Sequence, residues 1–309
     1  VEDGNLRVHM AALRKALGDG QAGQRYIVTV AQRGYSFVAP LSIEPMTIPA
    51  DGIPQSQAHN LPLRRTRMIG RQALIDALVQ QLPQQRFITL TGAGGIGKTT
   101  VALRVAELLI GHYRDGIRLL DLAPLSAPSM ILPNLAALLD LTPAEHAPLL
   151  TLARSLQARQ LLLVIDNCEH LLDDIALISE TLLRHAPDLH ILTTSREALR
   201  AEGEYVQRLE PLACPPATGN RAQALGYPAL QLLIERAMSH QDSFALSEAE
   251  LPLAIDICQR LDGLPLAIEL VAAQIERFGL PGLLVQMEDN FRLLKIGRAS
   301  CRERVFAGC

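Results

Sequence analysis

Hydrophobic and polar positions alternate along this chain in two rhythms, and the change between them marks its elements. Leu6, Met10, Leu13 and Leu17 recur at helical spacing and Gly18 closes the pattern, so the first stretch predicts a helix. RYIVTV and YSFVAP then alternate as strands do, joined by the turn AQRG, which predicts a hairpin. Residues 41–67 carry prolines and no periodicity of either kind, and are expected to be a linker. After it, short apolar runs alternate with amphipathic helical stretches. RQALIDALVQQL predicts a helix, RFITLTG a buried strand and TTVALRVAELLIGHY a second helix. IRLLDLAPL, QLLLVIDNC and LHILTTSR follow as further apolar strands with helical segments between them. Strand runs of this kind, apolar throughout rather than on one face, predict an α/β fold with a doubly wound parallel sheet covered on both sides. From Pro228 to Leu294 the pattern is all-helical.

The expected organisation is therefore a helix and hairpin over 1–40, a linker over 41–67, an α/β domain over 68–215 and a helical subdomain over 216–294. From Lys295 to Cys309 the pattern stops and basic residues crowd in. KIGRASCRERVFAGC resembles a sequencing adapter read as codons, and an artefactual tail outside the fold is expected there. With no Met at the start and this tail at the end, the chain reads as the middle of a longer protein.

Composition changes the picture little. The formal net charge of −3, from 29 basic and 32 acidic residues, makes any nucleic-acid affinity local rather than global. Five cysteines without a C-x-x-C pair point to free thiols in a reducing compartment. The absence of a membrane-length apolar run makes a cytoplasmic location, with no membrane partner, the expectation. Cys168, Cys214 and Cys258 read as packing thiols. The NCEH string around Glu169 makes a poor metal-ligand set.

The chemistry centres on GAGGIGKT, Gly92 to Thr99, which satisfies G-x-x-x-x-G-K-[ST] between a predicted strand and a predicted helix. Gly92, Gly94, Gly95 and Gly97 let backbone N–H groups face phosphate oxygens. The helix that opens at Lys98, Thr99 and Thr100 points its positive end at the same anion. Lys98 supplies a cation for the β and γ phosphates, and the Thr99 hydroxyl is placed for Mg2+. Asp166 ends the apolar strand LLLVID, expected to neighbour the phosphate-loop strand, and is placed to hold Mg2+ through water. Asn167 follows it where efficient P-loop hydrolases place a second acid. An amide cannot act as a base at neutral pH, so slow ATP hydrolysis is expected, with Glu169 near enough to substitute. Arg196, after the next strand, is positioned to report a γ-phosphate.

In this order MIGR, GAGGIGKTT, LLLVIDNCEHL, ILTTSRE and GLPLA resemble the signal-transduction ATPases with numerous domains, the group that includes the NB-ARC proteins. The resemblance covers Met68 to Leu294. It implies that Ile69 and Pro265 lie against an adenine ring. It also implies that Lys98, Thr99, Asp166 and Arg196 surround the phosphates of ATP or ADP. Such proteins are switches, compact with ADP and open or assembling into homo-oligomers with ATP.

Residues 1–40 resemble the second half of an OmpR/PhoB-type winged helix, that is, recognition helix and wing. The resemblance implies duplex DNA as partner. Asn5, Arg7, His9, Arg14 and Lys15 would lie on the DNA-facing side of the helix and Arg33 at the wing tip. Together these features predict a transcriptional regulator controlled by an ATP/ADP switch. The alternatives are an ATPase whose turnover is itself the function, without DNA binding, and a nucleotide-binding scaffold that never exchanges its ligand.

Overall fold

The structure, a computed structural model, describes residues 27–30, 34–37, 59–63, 67–140, 148–217, 220–241 and 244–287. The chain divides into two units, residues 1–53 and 54–309. In the first, β1 (Ile27–Val30) and β2 (Gly34–Phe37) pair antiparallel, with Ile27 opposite Phe37 and Val30 opposite Gly34. The predicted strands of the hairpin are thus present. The predicted helix before it, and Asn5, Arg7, His9, Arg14, Lys15 and Arg33, lie outside the described residues.

The second unit is built on a five-stranded parallel sheet in the order β4-β5-β6-β3-β7. These strands are β3 (Phe87–Thr91), β4 (Ile117–Asp121), β5 (Leu161–Asp166), β6 (Leu189–Ser195) and β7 (Tyr205–Arg208). Successive side chains of a strand face opposite sides of the sheet, and here both sides are covered. Leu161, Leu163 and Ile165 of β5 enter one hydrophobic cluster, with α3 (Ile131–Leu138), α4 (Leu149–Ser155) and α5 (Leu172–His185). Leu162 and Val164 enter the other, with α1 (Gln72–Gln85) and α2 (Lys98–Leu108). Strands covered on both faces lose the usual polar alternation, which is why β5 reads as an unbroken apolar run up to Asp166 and why β3 and the first half of β6 are mostly apolar.

The sheet order corrects one expectation. The strand that ends in Asp166 is not the neighbour of the phosphate-loop strand, because β6 lies between β3 and β5. Inserting a strand places Thr193 and Thr194 of β6 between the two functional strand ends. Thr193 Oγ1 donates to Thr89 Oγ1 of β3 at 2.8 Å, and Thr194 Oγ1 donates to Asp166 Oδ1 of β5.

A third cluster is formed by α6 (Arg221–Ala224), α7 (Pro228–His240), α8 (Leu251–Arg260), α9 (Pro265–Ala272) and a helical segment over 275–287. Ile69 and Leu212 also join it, so its packing reaches the segments that flank the sheet. No helix of the described residues is long and apolar enough to cross a membrane.

Candidate functional site

The phosphate loop leaves β3 at Thr91 and ends at the first turn of α2. Ile96 is buried in the cluster beneath the sheet and pins the middle of the loop, while Gly97 takes a left-handed conformation (φ 92°) as the cap of α2. Gly95 is also left-handed (φ 75°), and a β-carbon there would stand 2.8 Å from Leu266 Cβ of α9. The loop thus accepts the amino end of α9 only because Gly95 has no side chain. The contact is fixed by Leu266 N–H, which donates to Gly95 O at 3.1 Å.

Lys98 is only 9% exposed. Its Nζ donates to Gly92 O at 2.9 Å and Ala93 O at 3.1 Å, so the ammonium is curled within the loop against carbonyl oxygens. Burial lowers its pKa, while the Glu169 carboxylate works in the opposite direction. A cation held only by neutral carbonyls, in a loop whose backbone is wrapped around it, is a binding site for an anion.

Thr99 Oγ1 donates to both carboxylate oxygens of Asp166, at 2.9 and 3.0 Å. Asp166 is 5% exposed, and burial raises its pKa against the hydrogen bonds from Thr194 and Thr99 that stabilise the anion. A hydroxyl and a carboxylate meeting at this distance, beside a phosphate-binding loop, are the hard oxygen donors that Mg2+ takes together with phosphate oxygens and water. The pair fits that ion. Among the described residues no cluster of three or more His, Cys, Asp or Glu could hold a metal by itself. In the NCEH string Cys168 is buried, and the His170 ring nitrogen Nε2 bonds Leu125 O at 3.0 Å, so neither faces the site.

Asn167 is left-handed (φ 63°, ψ 49°). Its Nδ2 donates to Asp166 Oδ2 at 3.1 Å and to Asp121 Oδ1 at 3.0 Å, and its backbone N–H donates to Thr194 Oγ1 at 3.0 Å. The amide therefore orients Asp166. Glu169 and Arg196 face the loop from the far side and pair with each other, Nε to Oε1 at 3.3 Å.

These groups open on one cavity of about 500 Å3. Gly94, Gly95, Gly97, Lys98, Thr99 and Thr100 line its phosphate end, with Asn167, Glu169 and Arg196 beside them. Ile69, Leu212, Leu232 and Pro265 add an apolar slot to the same wall. Of the predicted contact residues Gly92 is not at the cavity wall; it serves instead as an acceptor for Lys98. Asp166 lies behind Thr99 rather than on the wall.

Sequence reasoning missed three groups here. Arg71 is left-handed (φ 79°) and its guanidinium donates to Ile96 O and Glu210 O, both at 2.9 Å. It ties the segment bearing Ile69 to the phosphate loop and to the exit of β7. Arg236 of α7 and Glu269 of α9 pair at 2.9 Å on the cavity wall. Nothing in their local pattern separates them from the solvated charges of two amphipathic helices. Arg71 had a signal, the charge that ends MIGR.

Comparison with known proteins agrees with this geometry. Residues 81–201 match the family model described as an AAA domain. An uncharacterized protein of Mycobacterium tuberculosis is 33% identical over 240 residues, covering 77% of this chain and 58% of that protein. A second M. tuberculosis protein, provisionally named an HTH-type transcriptional regulator, is 34% identical over 217 residues, covering 70% of this chain and 23% of its own. The chain thus spans little more than half the length of the first relative and under a quarter of the second. Among solved structures, the Walker-type ATPase of Pyrococcus abyssi superposes with a TM-score of 0.50 at 14% identity, over 79% of this chain and 78% of that one. At that identity the likeness concerns the fold. Sheet order and loop together define the fold of a P-loop NTPase, and the family match falls within it.

Proposed function

We propose that this chain is the ATP/ADP switch of a DNA-binding transcriptional regulator. The observation that carries the switch is Asn167. The position next to the buried Asp166 holds a hydrogen-bond donor locked onto two carboxylates, not a base aimed at the cavity. Such a site holds ATP for long periods, and occupancy becomes information. In this reading the loop amides and Lys98 bind the phosphates, and Thr99 and Asp166 would hold Mg2+, which would supply further positive charge there. Ile69 and Pro265 sandwich adenine in the apolar slot, and Arg196 detects the γ-phosphate.

The DNA-binding part of the proposal rests on residues 1–40. Their recognition helix would carry Asn5, Arg7, His9, Arg14 and Lys15, and their wing Arg33. The antiparallel pairing of β1 with β2 supports the wing, and the name of the second mycobacterial relative supports the role. Assembly into homo-oligomers with ATP belongs to the same reading.

The test is duplex binding in the presence of ATP, ADP or neither. A switch predicts a difference between the two nucleotides of about 5- to 150-fold, the range of allosteric coupling. Lys98→Ala should bind neither nucleotide and show no difference. Arg7→Ala and Arg14→Ala should each flatten the salt dependence by about one unit of log–log slope. Equal duplex affinity with both nucleotides, together with fast steady-state turnover, would instead favour an ATPase whose product is the work.

A further inference from the structure

We propose that Glu169 is the general base for a slow, self-terminating hydrolysis, and that Arg196 restrains it until a γ-phosphate arrives. This rests on the reading of the cavity as an ATP site and deepens it. Four observations bear on it.

Two acids line the cavity, and Glu169 is the one on the sheet side beside the loop: Glu269 pairs with Arg236 of the helical part, and Asp166, behind Thr99, is committed to Thr99, Thr194 and Asn167. Its Oε2 is shielded from solvent and has no hydrogen-bond partner among the described residues. A buried carboxylate oxygen left without a donor is costly unless a ligand or water completes it. Its Oε1 is held by Arg196 Nε at 3.3 Å. Finally, the Arg196 guanidinium already lies over the phosphate loop: a β-carbon on Gly94 would stand 3.8 Å from its terminal nitrogen.

Arg196 therefore faces two anions in turn. With ADP or no nucleotide its partner is Glu169. With ATP the γ-phosphate offers more charge, and a planar guanidinium pairs with phosphate oxygens bidentately. Moving to the phosphate uncovers Glu169, which then accepts a hydrogen bond from water. The water oxygen bonds to the γ-phosphorus as the bond to the β,γ-bridging oxygen breaks. ADP leaves with that electron pair, and the proton of the water passes to Glu169 and on to solvent. Loss of the γ-phosphate returns Arg196 to Glu169, so cleavage restores the restrained state.

The experiment measures single-turnover ATP cleavage, and ATP and ADP affinity, in the 309-residue chain and in Glu169→Gln, Arg196→Ala and the double variant. Glu169→Gln should slow cleavage by at least about 100-fold, the usual contribution of a general base. Its ATP affinity should rise about 2- to 5-fold with ADP unchanged, since the γ-phosphate no longer competes with an exposed ion pair for Arg196. In the Arg196→Ala background the same substitution should leave ATP affinity unaltered. Glu169→Asp, which keeps the charge, should recover part of the rate.

Cleavage at the wild-type rate in Glu169→Gln overturns the base. A gain in ATP affinity that persists without Arg196 overturns the restraint. The underlying reading fails separately: a wild-type chain that binds neither nucleotide defeats the ATP site itself. A wild-type chain that binds ATP and ADP equally defeats Arg196 as detector, while a rate loss in Glu169→Gln there still supports the base.

Discussion

At the scale of single residues, the site depends as much on what is missing as on what is present. GLPLA at 263–267 illustrates this. Gly263 is left-handed (φ 64°), and a β-carbon there would fall 2.0 Å from Leu212 O, a backbone atom that cannot rotate away. The close approach is held by Leu212 N–H, which donates to Gly263 O at 2.9 Å. Two residues later Pro265 opens α9, where a missing N–H costs nothing, and Leu266 closes on Gly95. One glycine thus sets the position of α9 relative to the phosphate loop. Gly263→Ala is expected to lower stability by at least about 1–3 kcal/mol, the range for a non-glycine residue held in such a conformation, with the clash in addition. Denaturant unfolding measures it, and nucleotide affinity should fall with it. A stable Gly263→Ala chain that binds ADP normally would mean that α9 does not need this contact.

At the scale of elements, α8 shows how a helix start is specified locally. Ser247 N–H and Oγ both reach Glu250 Oε2, at 3.1 and 2.6 Å, and Glu250 N–H returns to Ser247 Oγ at 3.3 Å. This is the reciprocal S-x-x-E capping pair, set in the turn that leads into α8. The Ser247 hydrogen bonds hold the Glu250 carboxyl below its ordinary pKa. A depressed carboxylate pKa adds stability that is complete above the unfolded value and lost as pH falls through the folded one. Ser247→Ala should therefore cost about 1 kcal/mol at pH 7, typical of a lost cap, and less at pH 3. Equal losses at both pH values would remove Glu250 from the cap.

Elements differ in how plainly the sequence announces them. β3, β5 and β6 were legible because both their faces are buried. β7 was not: Tyr205 and Val206 are 37% and 44% exposed, and an edge strand with one covered neighbour carries no apolar run. The insertion of β6 was illegible for another reason, since strand order is set by how crossovers pack and not by any local pattern. The phosphate loop was legible because a motif of fixed spacing states its own geometry, but the turning of Gly92 O toward Lys98 instead of the cavity was not. The Arg236–Glu269 pair could not be read either, because it joins residues 33 apart in sequence on two different helices.

At the scale of the whole molecule, one cavity is lined from two hydrophobic clusters. Its phosphate end belongs to the sheet and α2, while Leu232, Arg236 and Pro265 belong to the helical part. The two parts also meet through Gly263, Gly95, the packing of Ile69 and Leu212, and the hydrogen bonds of Ala213, Cys214 and Pro215 to α7 and α8. A nucleotide that touches both sides adds its binding energy to their association, not to either part alone. At 100 times its dissociation constant it stabilises the bound form by about 2.7 kcal/mol, which for a unit of this size raises the melting temperature by roughly 5–10 °C. If binding joins the parts, Mg-ADP should move a single cooperative transition upward by that amount, and Lys98→Ala should abolish the shift. Calorimetry distinguishes the other arrangement. Two transitions, of which only one responds to nucleotide, would mean that the helical part folds and melts independently of the site, and that it cannot transmit nucleotide state to the rest of the chain.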